Sequence, residues 1–210
     1  MGDTHRYHTL AVGVTGGIGS GKTEACRIFE SFGVRVLYAD PIARNLINSD
    51  EQIRQSVRRL FGDSIYTETG LDRKVVAKKI FADETLQKKL NAIVHPPVLD
   101  AIARELRRAR EKAEEAMVLV EAALMFESGA SRMFDYMLLI DADEEVRISR
   151  VIARDHSSRS DVLGRVRAQL PLKEKSLRSD FIIHNNNDVS TLRQQCQFLH
   201  TMLCRIAEGK

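Results

Sequence analysis

No apolar run in this 210-residue sequence approaches the roughly 20 residues that cross a bilayer, which excludes a membrane-spanning helix. Low-complexity tracts and internal repeats are missing too, so neither a disordered chain nor a solenoid is expected. Cysteine is scarce: Cys26, Cys196 and Cys204 make an odd count without paired metal-ligand spacing. They read as buried or incidental thiols of a reducing, cytoplasmic protein. The N-terminal "MGDTHRYH" is polar, and the apolar run behind it is too short for a signal peptide. Arg6 stands where a myristoylation signal needs Ser or Thr. A surplus of one charge is missing as well, since the net is only +3. That near balance argues against a general nucleic-acid surface.

What charge there is lies unevenly. Between Arg147 and Arg178 stand nine Lys or Arg against three Asp or Glu. A local basic excess of this kind suits a polyanionic ligand.

The hydrophobic pattern predicts a parallel α/β core. "TLAVGV" (9–14) reads as a buried strand, 21–32 as a helix with Gly33 as its stop, and "VRVLY" (34–38) as a second strand. Strand, helix and strand within thirty residues make a βαβ unit. Residues 41–115 read as almost wholly helical, broken by "FGDSIYTETGLD" and by His95-Pro96-Pro97. Buried strands return at 117–124 and 136–142, followed by a helix over 143–155. A last strand is predicted at 180–185 and a closing amphipathic helix at 189–208.

Five glycines crowd into "GVTGGIGSGKTEA" (13–25), at the edge of that first strand. Within it, Gly16-x-x-x-x-Gly21-Lys22-Thr23 fits the Walker A pattern in its required context, strand before and helix after. Backbone N–H groups there can wrap a triphosphate, and the helix N-terminus points partial positive charge at the same anion. Gly17, Ile18, Gly19, Ser20, Gly21, Lys22 and Thr23 are therefore the expected ATP loop. Lys22 would reach the β/γ oxygens, and Thr23 would supply a hydroxyl to Mg²⁺.

A switch GTPase would add an Asn-Lys-x-Asp guanine reader, which the sequence does not contain. "DVLG" (161–164) has the Asp-x-x-Gly spacing but not the strand end. A short chain with a basic helical segment suits a small-molecule kinase, whose transferring phosphoryl must be kept from water. Asp40 follows the second strand, where a carboxylate could take the proton of an acceptor hydroxyl. Asp followed by Pro41 also reads as N-cap and N1 of a helix over 41–48. Arg147, Arg150 and Arg154 stand at i, i+3 and i+7, so one helix face would present all three to transferring phosphate. A solvated face with Glu144–Arg147 pairing is the plainer alternative. Glu121 ends the strand "VLVE", where an acid would help hold Mg²⁺. Glu127 reads either as a site acid or as a helix start.

The stretches "TGGIGSGKT", "ADPIAR", "GLDRKVVAKKIF", "LNAIVHP", "LMFESG" and "RVIARDHSSRSDVLGRVRAQLP" together resemble the dephospho-coenzyme A kinase family over nearly the whole length. The resemblance implies transfer of the ATP γ-phosphoryl to the ribose 3′-hydroxyl of dephospho-CoA. It also implies a three-layer P-loop fold with a five-stranded parallel sheet, a helical insertion and a lid. Expected domains are a nucleotide-binding core at 8–45, 116–146 and 180–210, a helical acceptor domain at 46–115 and a basic lid at 147–179. Carried onto this sequence, Asp40 is the general base, Arg150 and Arg154 are lid arginines, and Arg44 and His95 lie toward the acceptor. By their own pattern Arg44 could be a solvated helix charge and His95 a residue at a helix boundary. Arg147, expected on the ATP side, stands where a glutamine is common. Gln169 matches without a clear role.

Other departures are Glu24 for a hydroxyl residue, Tyr38 for an acid, Ala123 for a proline and His184 for an aspartate. They leave adenine-side contacts open. Expected partners are ATP and dephospho-CoA as small-molecule substrates, with Mg²⁺, and neither nucleic acid nor membrane. The chain is expected to be a monomer or small homo-oligomer. Two other functions stay open: a P-loop kinase for another small hydroxyl acceptor, such as a nucleoside monophosphate or a shikimate-like acid, and a non-catalytic ATP-binding regulatory module.

Overall fold

The computed structural model describes residues 8–209; the N-terminal lipidation reading concerns residues outside that span. Seven residues, Leu10–Gly16, form strand β1, and every one is buried. A strand covered on both faces needs no polar alternation, which is why the run reads as continuously apolar. Four further strands join it in parallel: β2 (Arg35–Tyr38), β5 (Met117–Glu121), β6 (Tyr136–Asp141) and β7 (Phe181–His184). Their order across the sheet is β2-β5-β1-β6-β7. The chain thus leaves β1 toward one edge and later builds toward the other. Beyond the carboxyl ends of such diverging strands is where open α/β sheets bind ligands.

Side chains alternate across β1. Leu10, Val12 and Val14 join Met117, Leu119, Leu138, Ile140 and Ile183 in one core, with Ala25, Ile28 and Phe29 of helix α1 (Lys22–Ser31) and Leu192, Cys196, Leu199 and Leu203 of helix α9 (Val189–Ala207). Truncating a fully buried member such as Leu138 to Ala removes about 2–5 kcal/mol. At the sheet's outer strand, the Gln195 side chain pairs with both backbone groups of His184. Its Oε1 accepts from His184 N–H at 3.2 Å, and its Nε2 donates to His184 C=O at 3.0 Å. Among the described residues no strand lies on that side of the outer strand, and Gln195 supplies a partner for a single residue.

Two compact units divide the chain. One holds the residues up to Tyr38 together with everything from Glu105 on; the other is Ala39–Arg104. The smaller unit therefore begins and ends earlier than the 46–115 span read from the sequence. The reason at its far end is chemical. Glu105 pairs with Arg35 of β2 at 3.4 Å, and the Ala109 carbonyl accepts from the Thr9 hydroxyl at 3.5 Å. These contacts tie 105–112 to the sheet. The basic segment 147–179 also falls within the larger unit. Its helices α6 (Glu144–Asp155) and α7 (Arg159–Arg167) share an apolar cluster of Ile148, Val151 and Val162. "DVLG" lies inside α7, so its spacing has no connection with a strand end.

The smaller unit packs its own core. Helix α3 (Glu51–Phe61) buries Ile53, Val57 and Phe61, four residues apart, against Ile65 and Val76. Asp50 caps α3 by accepting from Gln52 and Ile53 N–H, and Asp72 caps α4 (Arg73–Ala82) in the same way. Between them lies the break expected at "FGDSIYTETGLD", a short 3₁₀ turn followed by the two-stranded hairpin β3 (Tyr66–Thr67) and β4 (Gly70–Leu71).

The second expected break does not occur. Helix α5 runs unbroken from Glu84 to Lys112 with Pro96 and Pro97 inside it. Val94, Val98, Ile102 and Leu106 are all buried at four-residue spacing. That stripe spans the two prolines, and burying it outweighs the backbone hydrogen bonds they forgo.

Candidate active site

The loop between β1 and α1 is shaped by two glycines with positive φ, Gly19 (79°) and Gly21 (90°). A side chain at Gly19 would run into the Arg147 carbonyl, and one at Gly21 into the Asn185 amide. Only glycine fits both the conformation and the space. Gly21 caps α1 without a side chain, so no cap side chain uses the first-turn N–H groups. Lys22 is buried, and its Nζ donates to the carbonyls of Gly16 (3.1 Å) and Gly17 (3.2 Å). Its ammonium is thereby held over the loop. Thr23, the second residue of α1, is exposed.

Two distant side chains hold this loop from outside. The Gln169 Oε1 accepts from Ile18 N–H at 2.9 Å, and the Asn185 Nδ2 donates to the Ser20 carbonyl at 2.8 Å. Asn185 is itself buried, and its own N–H donates to the Asp141 carbonyl at 2.7 Å. Asn185 thus joins the end of β7 to the loop through Ser20. The neighbouring His184 is exposed, with its Nδ1 3.6 Å from the Asp141 carboxylate.

The three arginines of α6 do not form one array. Arg147 is buried, its Nε donating to the Ala142 carbonyl at 3.0 Å and its guanidinium packed against Gly17. Its exposed partner Glu144 stands 3.7 Å away, so the Glu144–Arg147 pairing does form. Arg150 is half-buried and donates to the Asn185 carbonyl at 2.8 Å. Arg154 is exposed, bonded through two nitrogens to Asp155, which also takes Arg165 at 3.0 Å. The guanidinium of Arg154 holds the Asp155 carboxyl below its ordinary range. Helical spacing puts all three arginines on one side, but seven residues also advance about 10 Å along the axis. Arg147 therefore lies under the loop, while Arg154 is in solvent.

Glu121 closes β5, half-buried, in register with Val14 of β1 and Tyr38 of β2. Burial and a hydrogen bond with Glu30 push the Tyr38 phenol above its ordinary range. Beyond Glu121 lies a contact that sequence reasoning missed. Lys175, in the short helix α8 (Leu172–Ser176), is wholly buried, its Nζ 2.9 Å from Glu127 Oε1 and 2.8 Å from the Ala123 carbonyl. Ala123 O also accepts from Thr15 Oγ1 at 3.3 Å, and Glu127 Oε1 from Leu170 N–H at 2.9 Å. Glu127 is thus the anion that pairs with the buried Lys175, and it lies in a turn and not at a helix start. In the sequence Lys175 is one cation in a basic run, with nothing to mark it as internal.

Three expected site residues belong to the smaller unit. Helix α2 (Ala39–Ser49) begins one residue before Asp40, which lies in its first turn with Pro41 behind it. Asp40 is therefore not the N-cap that the Asp-Pro pair suggests. It is exposed, and among the described residues its carboxylate has no hydrogen-bond or ion-pair partner. Arg44 is exposed one turn further along the same face. His95 is half-buried in mid-helix, not at a boundary, and burial lowers its pKa from the ordinary 6.5.

Residues 10–191 match the sequence profile of a family described as dephospho-CoA kinase. A relative of that name from Chlorobium luteolum is 33% identical over 205 residues, covering 95% of this chain and 93% of its own length. A crystal structure from Thermus thermophilus is 34% identical with a TM-score of 0.77, covering 93% of this chain and 98% of its own. The dephospho-CoA kinase from Campylobacter jejuni, 27% identical, has a TM-score of 0.70 over 95% of this chain and 98% of its own.

Proposed function

The chain belongs to the dephospho-CoA kinase family, and from that membership we propose how its own residues divide the work of phosphoryl transfer. The enzyme phosphorylates the ribose 3′-hydroxyl of dephospho-CoA with ATP, giving coenzyme A and ADP, the last step of coenzyme A biosynthesis. The observation that carries this reading is the glycine-shaped loop with Lys22 held over it, in a chain matched to that family along most of its length.

The triphosphate takes the amides of the loop from Gly17 to Thr23, and Lys22 exchanges two carbonyl partners for β/γ oxygens. The carboxylate of Asp40, with no competing partner, accepts the proton of the 3′-hydroxyl. The freed oxygen bonds to the γ-phosphorus as the bond from that phosphorus to the β–γ bridging oxygen breaks, and ADP leaves. Arg150 and Arg154 offset the charge that grows on the transferring group, Arg154 after releasing Asp155. Arg147, buried under Gly17, serves ATP through the loop it supports. Arg44 and His95 bind the acceptor, His95 as the neutral ring that burial favours.

Thr23 and Glu121 offer only oxygen donors, the set that Mg²⁺ prefers, and would hold it with phosphate and water oxygens completing the shell. When bound, the ion neutralises phosphate charge. The three thiols are free, in keeping with a reducing, cytoplasmic setting.

The test is to incubate purified protein with ATP, Mg²⁺ and a panel of hydroxyl acceptors, measuring ADP and identifying the product by mass. ADP and coenzyme A with dephospho-CoA are expected. Preference for a nucleoside monophosphate or a shikimate-like acid would replace the substrate. Binding of ATP without turnover on any acceptor would turn the chain into a regulatory module.

A further inference from the structure

We infer that Gln169 is a positioning residue for the ATP loop, acting from the end of the basic segment through the amide of Ile18. The inference rests on the kinase reading above only in naming ATP as the anion. Gln169 lies two residues past the end of α7 and 151 positions from Ile18, so the contact is no product of local chain geometry. Its Oε1 accepts from Ile18 N–H at 2.9 Å. This amide lies between Gly17 and Gly19, two residues with no side chain to restrict their own backbone, so the loop has conformational freedom to lose there. An acceptor there selects one loop shape from many before any anion arrives, so less of the binding energy is spent on ordering.

The side chain type matters as much as its position. Glutamine accepts as a neutral group. A carboxylate in its place would make the same hydrogen bond and bring a negative charge up to a loop built for phosphate.

Gln169 is itself held in place by its neighbours. The next residue, Leu170, donates its N–H to Glu127 at 2.9 Å, and Glu127 is paired at 2.9 Å with the wholly buried Lys175. Lys175 also donates to the Ala123 carbonyl, on which the Thr15 hydroxyl converges just ahead of the loop. The stretch 169–175 is thus anchored on the loop at one end and just past β5 at the other. Neither Gln169 nor Lys175 needs to touch substrate for its loss to be felt there.

The experiment compares Gln169→Leu and Gln169→Glu with the unaltered protein. ATP affinity is measured by calorimetry, KM for ATP and for dephospho-CoA and kcat by ADP release, and melting temperature in parallel. Losing one hydrogen bond of about 1.4 kcal/mol predicts that Gln169→Leu weakens ATP binding on the order of tenfold. KM for dephospho-CoA and the melting temperature should stay near those of the unaltered protein. Gln169→Glu should also melt normally and lose at least as much ATP affinity, because its charge opposes the triphosphate. ATP affinity unchanged in either variant overturns the inference. So does a lowered melting temperature with affinity intact, or an equal rise in both KM values. If the unaltered protein makes no ADP with dephospho-CoA yet Gln169→Leu still binds ATP more weakly, the substrate assignment fails while the role of Gln169 stands.

Discussion

Around the ATP loop, Lys22, Gln169 and Asn185 all end on backbone atoms of Gly16, Gly17, Ile18 or Ser20. Around Asp40 and Arg44 the contact of this kind among the described residues is local, the Asn48 Nδ2 donating to the Arg44 carbonyl at 2.8 Å within the same helix, and the Asp40 and Arg44 side chains lie exposed in the first turns of α2. On the proposed division of work the two regions serve one reaction, and each is built in its own way. A triphosphate is bound by the directions of many amides at once, and each amide that wanders weakens the whole cradle. Proton abstraction needs one carboxylate with an oxygen open to the acceptor. On that division the loop carries long-range contacts made in advance, and the side chains of Asp40 and Arg44 stay open.

The contrast is broken most sharply by removing the carboxylate proposed as the general base. Asp40→Asn should lower kcat by about 10³-fold, within the range of general-base catalysis, with ATP affinity and melting temperature unchanged. Near-normal turnover would make Asp40 a helix residue without a chemical task. Lys22→Ala should lower kcat by about 10²-fold, as expected for one charge taken from a transferring phosphoryl. Because Lys22 also bridges Gly16 and Gly17, this variant should bind ATP more weakly too, which calorimetry would detect. Asp40→Asn should not.

Smaller effects sharpen the comparison within α6. Arg154→Ala should slow turnover by about tenfold while leaving ATP affinity alone, since its guanidinium is exposed and does not support the loop. An unchanged rate would confine Arg154 to its pairing with Asp155. Arg150→Ala should weaken ATP binding through Asn185 and Ser20 as well as slow turnover.

The smallest effect concerns pH. Burial holds His95 and His200 below their ordinary 6.5, so the unfolded chain binds these protons more readily than the folded one. Their contribution is present in full above pH 6.5 and declines as pH falls from there toward the folded-state values. The melting temperature should therefore drop between pH 7 and pH 5, less so in His95→Gln. Equal slopes in the two proteins would remove His95 from the account.

Much of the core was legible because each element obeys one strong local rule. β1 has no polar side chain from Leu10 to Val14, the glycines precede Lys22-Thr23, and α9 keeps its helical stripe from Leu192 to Leu203. Legibility ended where partners come from far away in sequence. Nothing near Lys175 reveals that Glu127 and Ala123 enclose it, and nothing near Arg147 shows that it lies beneath Gly17. The two prolines of α5 misled for a related reason. Their local effect is a break, and only the buried stripe from Val94 to Leu106 shows why the helix continues. Asp40 misled in the other direction, since Asp-Pro is a strong helix-start signal and the helix begins one residue sooner.

An unpaired strand at the margin of a sheet invites other chains to add to it, and crowded solutions of such proteins tend to form aggregates. Gln195 imitates a peptide group and fills the hydrogen-bonding positions of His184, so an incoming strand would meet a site already taken. A side chain placed this way occupies the edge without adding charge there, a consideration for any variant engineered for storage at high concentration.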